Sequence, residues 1–231
     1  IGTTLLVQPR NWAKSVGVAH LSVACDKGSC KVNSSRGETI QSKGHAEESA
    51  VLALSASTHR ATVAYVNETI GTTPVAWRGD SARLEDTPLI DLITEVEMKA
   101  AKADLASSAA FTLDASLPPG PVTVARIAQL YPYDNTLRAV RISGKDLKDY
   151  LEFSSRYYTG AVTNGHPATD PEIAGYNFDM VSGADYTIDL TKPVGSRITT
   201  LTFKGKPVAP TDSFTFALNN YRQSGGGGYA M

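Results

Sequence analysis

The 231-residue sequence predicts an α+β fold with a mixed or largely antiparallel sheet. Helical and strand-like periodicities alternate without a regular βαβ repeat. The late strands are joined by short turns such as Lys204-Gly205-Lys206-Pro207, and one long helical stretch without Pro or Gly separates a β-rich start from a larger remainder. With 42% apolar and 19% charged residues, the composition is that of a globular protein able to bury a core. A formal net charge of −1 provides little of the long-range attraction that a nucleic-acid polymer or an anionic membrane requires. No run of 18 apolar residues is present, so no membrane span is expected. The chain opens Ile1-Gly2-Thr3-Thr4, with neither an initiator Met nor a signal peptide, and is expected to be cut from something longer.

Residues 1–43 read as short strands, Thr4 to Val7, Val16 to Val23 and Lys31 to Ser34, too little for a domain. Cys25 and Cys30 bracket Asp26-Lys27-Gly28-Ser29 in the manner of a β-hairpin whose strands stop and start at the cysteines. A disulfide is expected there over two free thiols, and it would mark an exported protein. A zinc site would need a second pair of ligands, and His20, His45, His59 and His166 lie in unrelated contexts. From His45 to about Asn67, Val51, Leu54, Val63 and Val66 among many alanines predict a helix of some twenty residues, bracketed by Gly44 and Gly71. We take residues 44–75 as a connecting helix and linker, and 76–231 as the main domain.

In that domain, Thr87-Pro88 provides a cap and an N1 proline for a helix with Leu89, Leu92, Ile93, Val96 and Ala100 on one face. Thr123 caps a short helix ending near Leu130. A strand from Thr136 to Ile142 runs into Ser143-Gly144-Lys145-Asp146, a capping-box signal, with Leu147, Tyr150 and Leu151 inward. Further strands are expected at 185–190, 197–203 and 214–219. The last of these delivers the most unusual stretch of the chain, Asn219-Asn220-Tyr221-Arg222-Gln223-Ser224-Gly225-Gly226-Gly227-Gly228-Tyr229. A loop nearly free of side chains lets backbone approach a ligand closely. It has a counterpart in Leu130-Tyr131-Pro132-Tyr133-Asp134-Asn135, where a second exposed aromatic again sits beside an asparagine. Two aromatics and two amides suggest a slot for a flat ring with polar edges. The bland alternative for the glycine run is a flexible tail.

Phosphate-loop, nucleophile-elbow, zincin and C-x-x-C motifs are all absent. The Tyr133-Asp134-Asn135 turn, the segment Val140-Arg141-Ile142-Ser143-Gly144-Lys145-Asp146-Leu147 and the Asn220-Tyr221-Arg222 ending with its glycines together resemble the C-terminal domain of bacterial 5′-nucleotidases. Gly175-Tyr176-Asn177-Phe178-Asp179, Tyr186-Thr187-Ile188-Asp189-Leu190 and Pro193-Val194-Gly195-Ser196-Arg197-Ile198 are similar to the 2′,3′-cyclic-nucleotide 2′-phosphodiesterase/3′-nucleotidase branch. The resemblance implies that residues 1–43 are the last strands of a metallophosphatase domain and that 44–75 link it to a substrate-specificity domain. It also implies a base stacked between Tyr133 and Tyr221, with Asn135, Asn220, Arg222, Gly225, Gly226 and Arg83 around the substrate, and Arg78 near a second arginine position. The family's two divalent metals would sit in the N-terminal domain, with no cofactor or metal ligand in this chain. The implied partners are a nucleoside or nucleotide and that domain, in an exported protein.

Two departures bear on the substrate. Where 5′-nucleotidases carry Gly-Gly-Ile-Arg this chain has Ala109-Ala110-Phe111-Thr112, and Gly227 replaces a loop aspartate. Loss of a carboxylate suits a ribose whose 2′ or 3′ oxygen is phosphorylated, because like-charge repulsion disappears. A nucleoside-binding module without catalysis and a single-stranded RNA binder are the competing classes, and the near-zero charge disfavours the second.

Overall fold

The computed structural model describes residues 4–230. Its elements run β1 (Ser15–Asp26), β2 (Ser29–Gln41), α1 (Ser49–Val66), β3 (Thr69–Thr73), β4 (Trp77–Arg78), α2 (Pro88–Ala101), β5 (Leu105–Ala109), β6 (Ser116–Leu117), β7 (Gly120–Thr123), α3 (Val124–Leu130), β8 (Leu137–Ser143) and α4 (Gly144–Ser155). Then come β9 (Tyr158–Thr163), β10 (His166–Thr169), β11 (Asp179–Ser182), β12 (Asp185–Ile188), β13 (Ile198–Phe203), β14 (Lys206–Pro207), β15 (Ser213–Asn219) and α5 (Asn220–Gln223). Two single 3₁₀ turns lie at Gly175–Asn177 and Gly226–Gly228. The chain divides into two compact units, Ile1–Thr62 and Val63–Met231, with the boundary inside α1.

The first unit is a long hairpin. β1 and β2 pair antiparallel from Ser15↔Gln41 to Asp26↔Ser29, well beyond the strands expected from sequence. Lys27 and Gly28 turn it with positive φ, the geometry that keeps the strand twist through a two-residue loop. Cys25 and Cys30 are cross-strand partners joined by a disulfide. Thr4 to Val7, expected as a strand, has no regular structure. There Leu5 and Val7 instead fill the space over Gly17 and Gly37, where a Cβ would meet them.

The second unit is built on a four-stranded mixed sheet in the order β11-β5-β15-β8, with β5 and β15 parallel and the other pairs antiparallel. This is the α+β architecture. Its centre is β5, Leu105-Ala-Ser-Ser-Ala109, all five residues buried. Small residues give no alternation, so the sequence shows no strand there; the reason for them is the close approach of a helix on each face. Side chains alternate across the sheet. Ser107 Oγ bonds Tyr150 Oη of α4 at 3.0 Å on one face, and Ser182, the register partner of Ala106, bonds Thr94 of α2 at 2.7 Å on the other.

Helix α4 follows its sequence signals. The Ser143–Asp146 capping box is formed, and Leu147, Tyr150 and Leu151 are buried against Leu105, Phe214, Phe216 and Leu218. Its buried Glu152 accepts from the backbone N–H groups of Gly195, Arg197 and Ile198 at 3.0, 3.0 and 2.7 Å, pinning the 190–198 loop to the helix.

Helix α2 corrects two expectations. Thr87 occupies the cap position, but its side chain makes no cap bond, and Oγ1 is buried without a protein partner. The buried face is also rotated: Leu89, Ile90 and Thr94 are buried, while Val96 is 58% exposed and Ala100 is exposed. Glu97 continues the line Ile90, Thr94 at i+7, and a search for apolar residues alone passes over a stripe that is two-thirds polar.

Gly144 shows packing overriding propensity. A Cβ there would collide with the Ala209 carbonyl oxygen and approach Val208 Cγ1 to 2.7 Å. Gly144→Ala, normally favourable inside a helix, is therefore expected to lower stability by about 1–3 kcal/mol, read as a drop in the urea midpoint.

Candidate functional site

The end of β15 becomes the site. Asn219 caps α5, its Oδ1 accepting from the Arg222 N–H at 2.8 Å. That turn directs Arg222 inward and Tyr221 outward. The Arg222 guanidinium lies buried in a two-point ion pair with Asp179, Nε to Oδ2 and Nη2 to Oδ1, both 2.7 Å. Nη1 donates to Asn177 Oδ1 at 3.1 Å and the Gly226 carbonyl at 3.0 Å, and Nη2 to the Tyr176 carbonyl at 2.7 Å. All five guanidinium donors are used. Arg222, grouped by sequence with the substrate contacts, therefore has no N–H left for a ligand; it is the internal clamp of the glycine loop. Burial opposes its charge, but the Asp179 carboxylate more than offsets this and raises its pKa above the usual arginine value.

The glycines also have a structural cause. A Cβ on Gly226 would enter the Tyr221 ring, and one on Gly227, at φ 71°, would press on Arg222 Nη1 and Asn177 Oδ1. Gly225 takes φ 89° to reverse the chain. Gly226 thus makes room for the Tyr221 ring, Gly225 supplies the chain reversal, and a side chain at Gly227 is excluded by the same clamp.

Tyr221 is 47% exposed and Tyr133 is 49% exposed. The turns that carry them are joined by two hydrogen bonds, Asn220 N–H to the Thr136 carbonyl at 2.9 Å and Thr136 N–H to Asn220 Oδ1 at 2.8 Å. Asn220 is thus a brace between the two aromatic turns through its carboxamide oxygen. Tyr133 stands edge-on to Phe111, with ring centroids 5.1 Å apart, and Phe111 stands edge-on to Tyr131 at 4.8 Å. Tyr131 Oη accepts from Asn135 Nδ2 at 3.4 Å and Asn219 Nδ2 at 3.1 Å.

Arg83 is placed beside this assembly. Its Nη2 donates to the Ala110 carbonyl at 2.7 Å, its Nη1 reaches Tyr157 Oη at 3.5 Å, and its guanidinium lies against Gly175, leaving no room for a Cβ. Ala110 precedes Phe111 and Gly175 precedes Tyr176, so Arg83 adjoins both flanks of the site. Arg78 is an exposed partner of Asp80 at 2.6 Å.

Sequence reasoning passed over Phe111, Tyr131, Asn219 and Asp179 as site-building residues. Tyr131 and Asn219 sit inside quoted motifs, one residue pair from an anticipated contact; only the fold shows that they support it. Among the described residues no group of three or more His, Cys, Asp or Glu is placed to hold a metal ion. No helix among them is long and apolar enough to cross a membrane.

The 5′-nucleotidase C-terminal domain model matches residues 69–231. The chain belongs to this family. It is 29% identical over 260 residues to the trifunctional nucleotide phosphoesterase protein YfkN of Bacillus subtilis, covering 97% of this chain and 18% of that protein. It is 28% identical over 264 residues to a 2′,3′-cyclic-nucleotide 2′-phosphodiesterase/3′-nucleotidase of Salmonella typhimurium, covering 95% of this chain and 41% of that protein. The fold is shared with a 5′-nucleotidase precursor from Thermus thermophilus, with TM-score 0.61, 24% identity, and 94% and 42% of the two chains covered. The chain thus spans less than half the length of these relatives.

Beneath the aromatic turns, burial and the charge of Asp179 push Glu97 up to about 8, and its Oε2 has no protein partner. A carboxyl whose folded value lies above its unfolded one stabilises below the unfolded value, near 4.5, and that contribution is lost as pH rises through about 8. Between these limits stability falls with pH by at most about 1.4 kcal/mol per unit. Glu97→Gln is expected to flatten this part of the profile, with melting temperatures converging at pH 4 and the variant more stable at pH 9. For Arg222→Met, which leaves Asp179 buried without its partner, a loss of about 3–5 kcal/mol is expected in denaturant unfolding.

Proposed function

We propose that this chain is the nucleotide-binding C-terminal part of a larger phosphoesterase, with the nucleobase stacked between Tyr133 and Tyr221. The observation that carries this reading is the pair of half-exposed tyrosines on turns braced by Asn220 and Thr136. Stacking contributes roughly 1–3 kcal/mol per base and tolerates every base, since each has a π face. Arg83 bonds the Ala110 carbonyl next to Phe111, Asn135 lies on the Tyr133 turn, and the names of the relatives are those of enzymes acting on nucleotides.

In this reading residues 1–43 are the tail of a metallophosphatase domain, residues 44–75 the connecting helix and linker, and residues 76–231 the substrate domain. The two divalent metals and the phosphoester cleavage belong to the rest of the parent protein. The disulfide at the hairpin tip supports export, since such bonds persist in oxidising compartments. A nucleoside-binding module without chemistry is the second reading, in which the same tyrosine pair captures nucleosides.

Calorimetric titration with adenosine and 3′-AMP tests the proposal. Tyr221→Ala is expected to weaken binding about five- to 150-fold, and His45→Ala or His166→Ala to leave it unchanged. Unchanged affinity in the Tyr221 variant would remove the base clamp, and metal-dependent phosphate release by this chain alone would show that catalysis is not confined to the rest of the parent protein.

A further inference from the structure

We infer that the cleft between the start of α2 and the β11–β12 edge binds a small aliphatic diamine, one ammonium of which is held by Asp86, Asp91 and Thr87. Tyr133 and Tyr221 do not line this cleft, so the inference stands apart from the stacking reading.

The cleft measures about 770 Å³, a size that suits a small organic ligand. Four carboxylates line it, those of Glu85, Asp86, Asp91 and Asp185, and none of them forms an ion pair among the described residues. The two basic residues on its wall are engaged elsewhere. Arg83 donates to the Ala110 carbonyl and to Tyr157 Oη, and the Lys204 ammonium lies 4.9 Å from the centre of the Phe203 ring. The cleft therefore carries negative charge that no protein cation pairs with.

Asp86, Thr87 and Asp91 belong to one turn, since Asp86 adjoins Thr87 and the Thr87 carbonyl accepts the Asp91 N–H at 3.1 Å. Burial and the charge of Asp86 push the Asp91 carboxyl above the usual carboxylate range. The N-terminus of α2 accounts for acidic residues at this place. It does not account for Thr87, which lines the cleft, is only 5% exposed, makes no cap bond and has Oγ1 buried without a protein partner. A buried hydroxyl left in that state costs free energy unless a ligand bonds it. An ammonium supplies what is lacking, with three N–H donors and one positive charge for two carboxylates and one hydroxyl oxygen. A divalent metal fits less well, because among the described residues no third His, Cys, Asp or Glu is placed to complete its shell. Phe178 and Tyr186 on the cleft wall offer aromatic surface to the aliphatic stem, and Glu85 and Asp185 remain for the second ammonium.

The test is calorimetric titration of the intact chain with putrescine, beside butanediol and Mg²⁺ at one ionic strength. Putrescine is expected to bind, butanediol to give no heat, and Mg²⁺ to bind about tenfold more weakly than putrescine. Asp86→Asn and Asp91→Asn, both at exposed positions, are each expected to weaken putrescine about tenfold, the effect of one charge-assisted bond. Thr87→Val is expected to weaken it severalfold while the melting temperature holds or rises, because the hydroxyl removed has no protein partner to lose. Asp114→Asn removes an equal charge at an exposed position outside the cleft and is expected to leave binding unchanged. No putrescine binding, or unchanged affinity in the Asp86, Asp91 and Thr87 variants, would overturn the site. Mg²⁺ binding as tightly as putrescine, or equal weakening by Asp114→Asn, would overturn it in favour of general charge attraction. None of these readouts involves a nucleoside, so failure here leaves the stacking reading untouched.

Discussion

The buried ion pair between Arg222 and Asp179 is the interaction on which the C-terminal half of the site depends. Taking two charges out of water costs several kcal/mol per ion, and mutual attraction offsets this only where every remaining donor and acceptor is used. Here that condition is met. The arginine spends its other donors on Asn177, Gly226 and Tyr176, and Tyr150 Oη donates to the Asp179 carboxylate from below. Tyr229 Oη closes the set, donating to the Asn177 carbonyl at 2.8 Å while accepting from the Asp179 N–H at 3.3 Å. The pair therefore acts chiefly as a locator: it fixes the loop after β15 relative to β11, which determines where Tyr221 can stand.

Placement of the second tyrosine is a separate problem with a different physical solution. Phe111 follows the small-residue strand β5 and meets both Tyr131 and Tyr133 edge-on, an arrangement favoured by the ring quadrupoles. The Asn220–Thr136 bonds then tie this aromatic group to the clamped loop. The segment Ala109-Ala110-Phe111-Thr112 thus supplies the aromatic support and no arginine. The arginine beside the site is instead Arg83, held by the Ala110 carbonyl of that same segment.

Polar groups without protein partners collect on the α2 side of the sheet. Glu97 Oε2 and Ser108 Oγ are both buried there, and Ser108 shares its face with Ala106, opposite Ser107 and α4. Native interiors satisfy such atoms with ordered water. That makes the layer under the aromatic turns responsive to pH through Glu97.

The sequence by itself determined the α+β class, the capping box at Ser143, the Thr123 cap, the cysteine hairpin, the inward face of α4 and the family, because each rests on local chemistry: a hydroxyl at a helix start, a Gly in a two-residue turn, an apolar spacing. It also singled out Tyr133, Asn135, Asn220 and Tyr221 as one group. What it could not determine depends on partners more than forty residues away, as with Asp179 and Arg222. Arg222 read as a ligand contact because an arginine in a glycine loop has the same local pattern whether its donors face solvent or a buried aspartate. Likewise β5 and the Glu97 face of α2 were illegible because small and polar residues become interior only when another element covers them. Tertiary packing decided those assignments, since burial and hydrogen-bond saturation are properties of the assembled neighbours and not of the residue or its spacing.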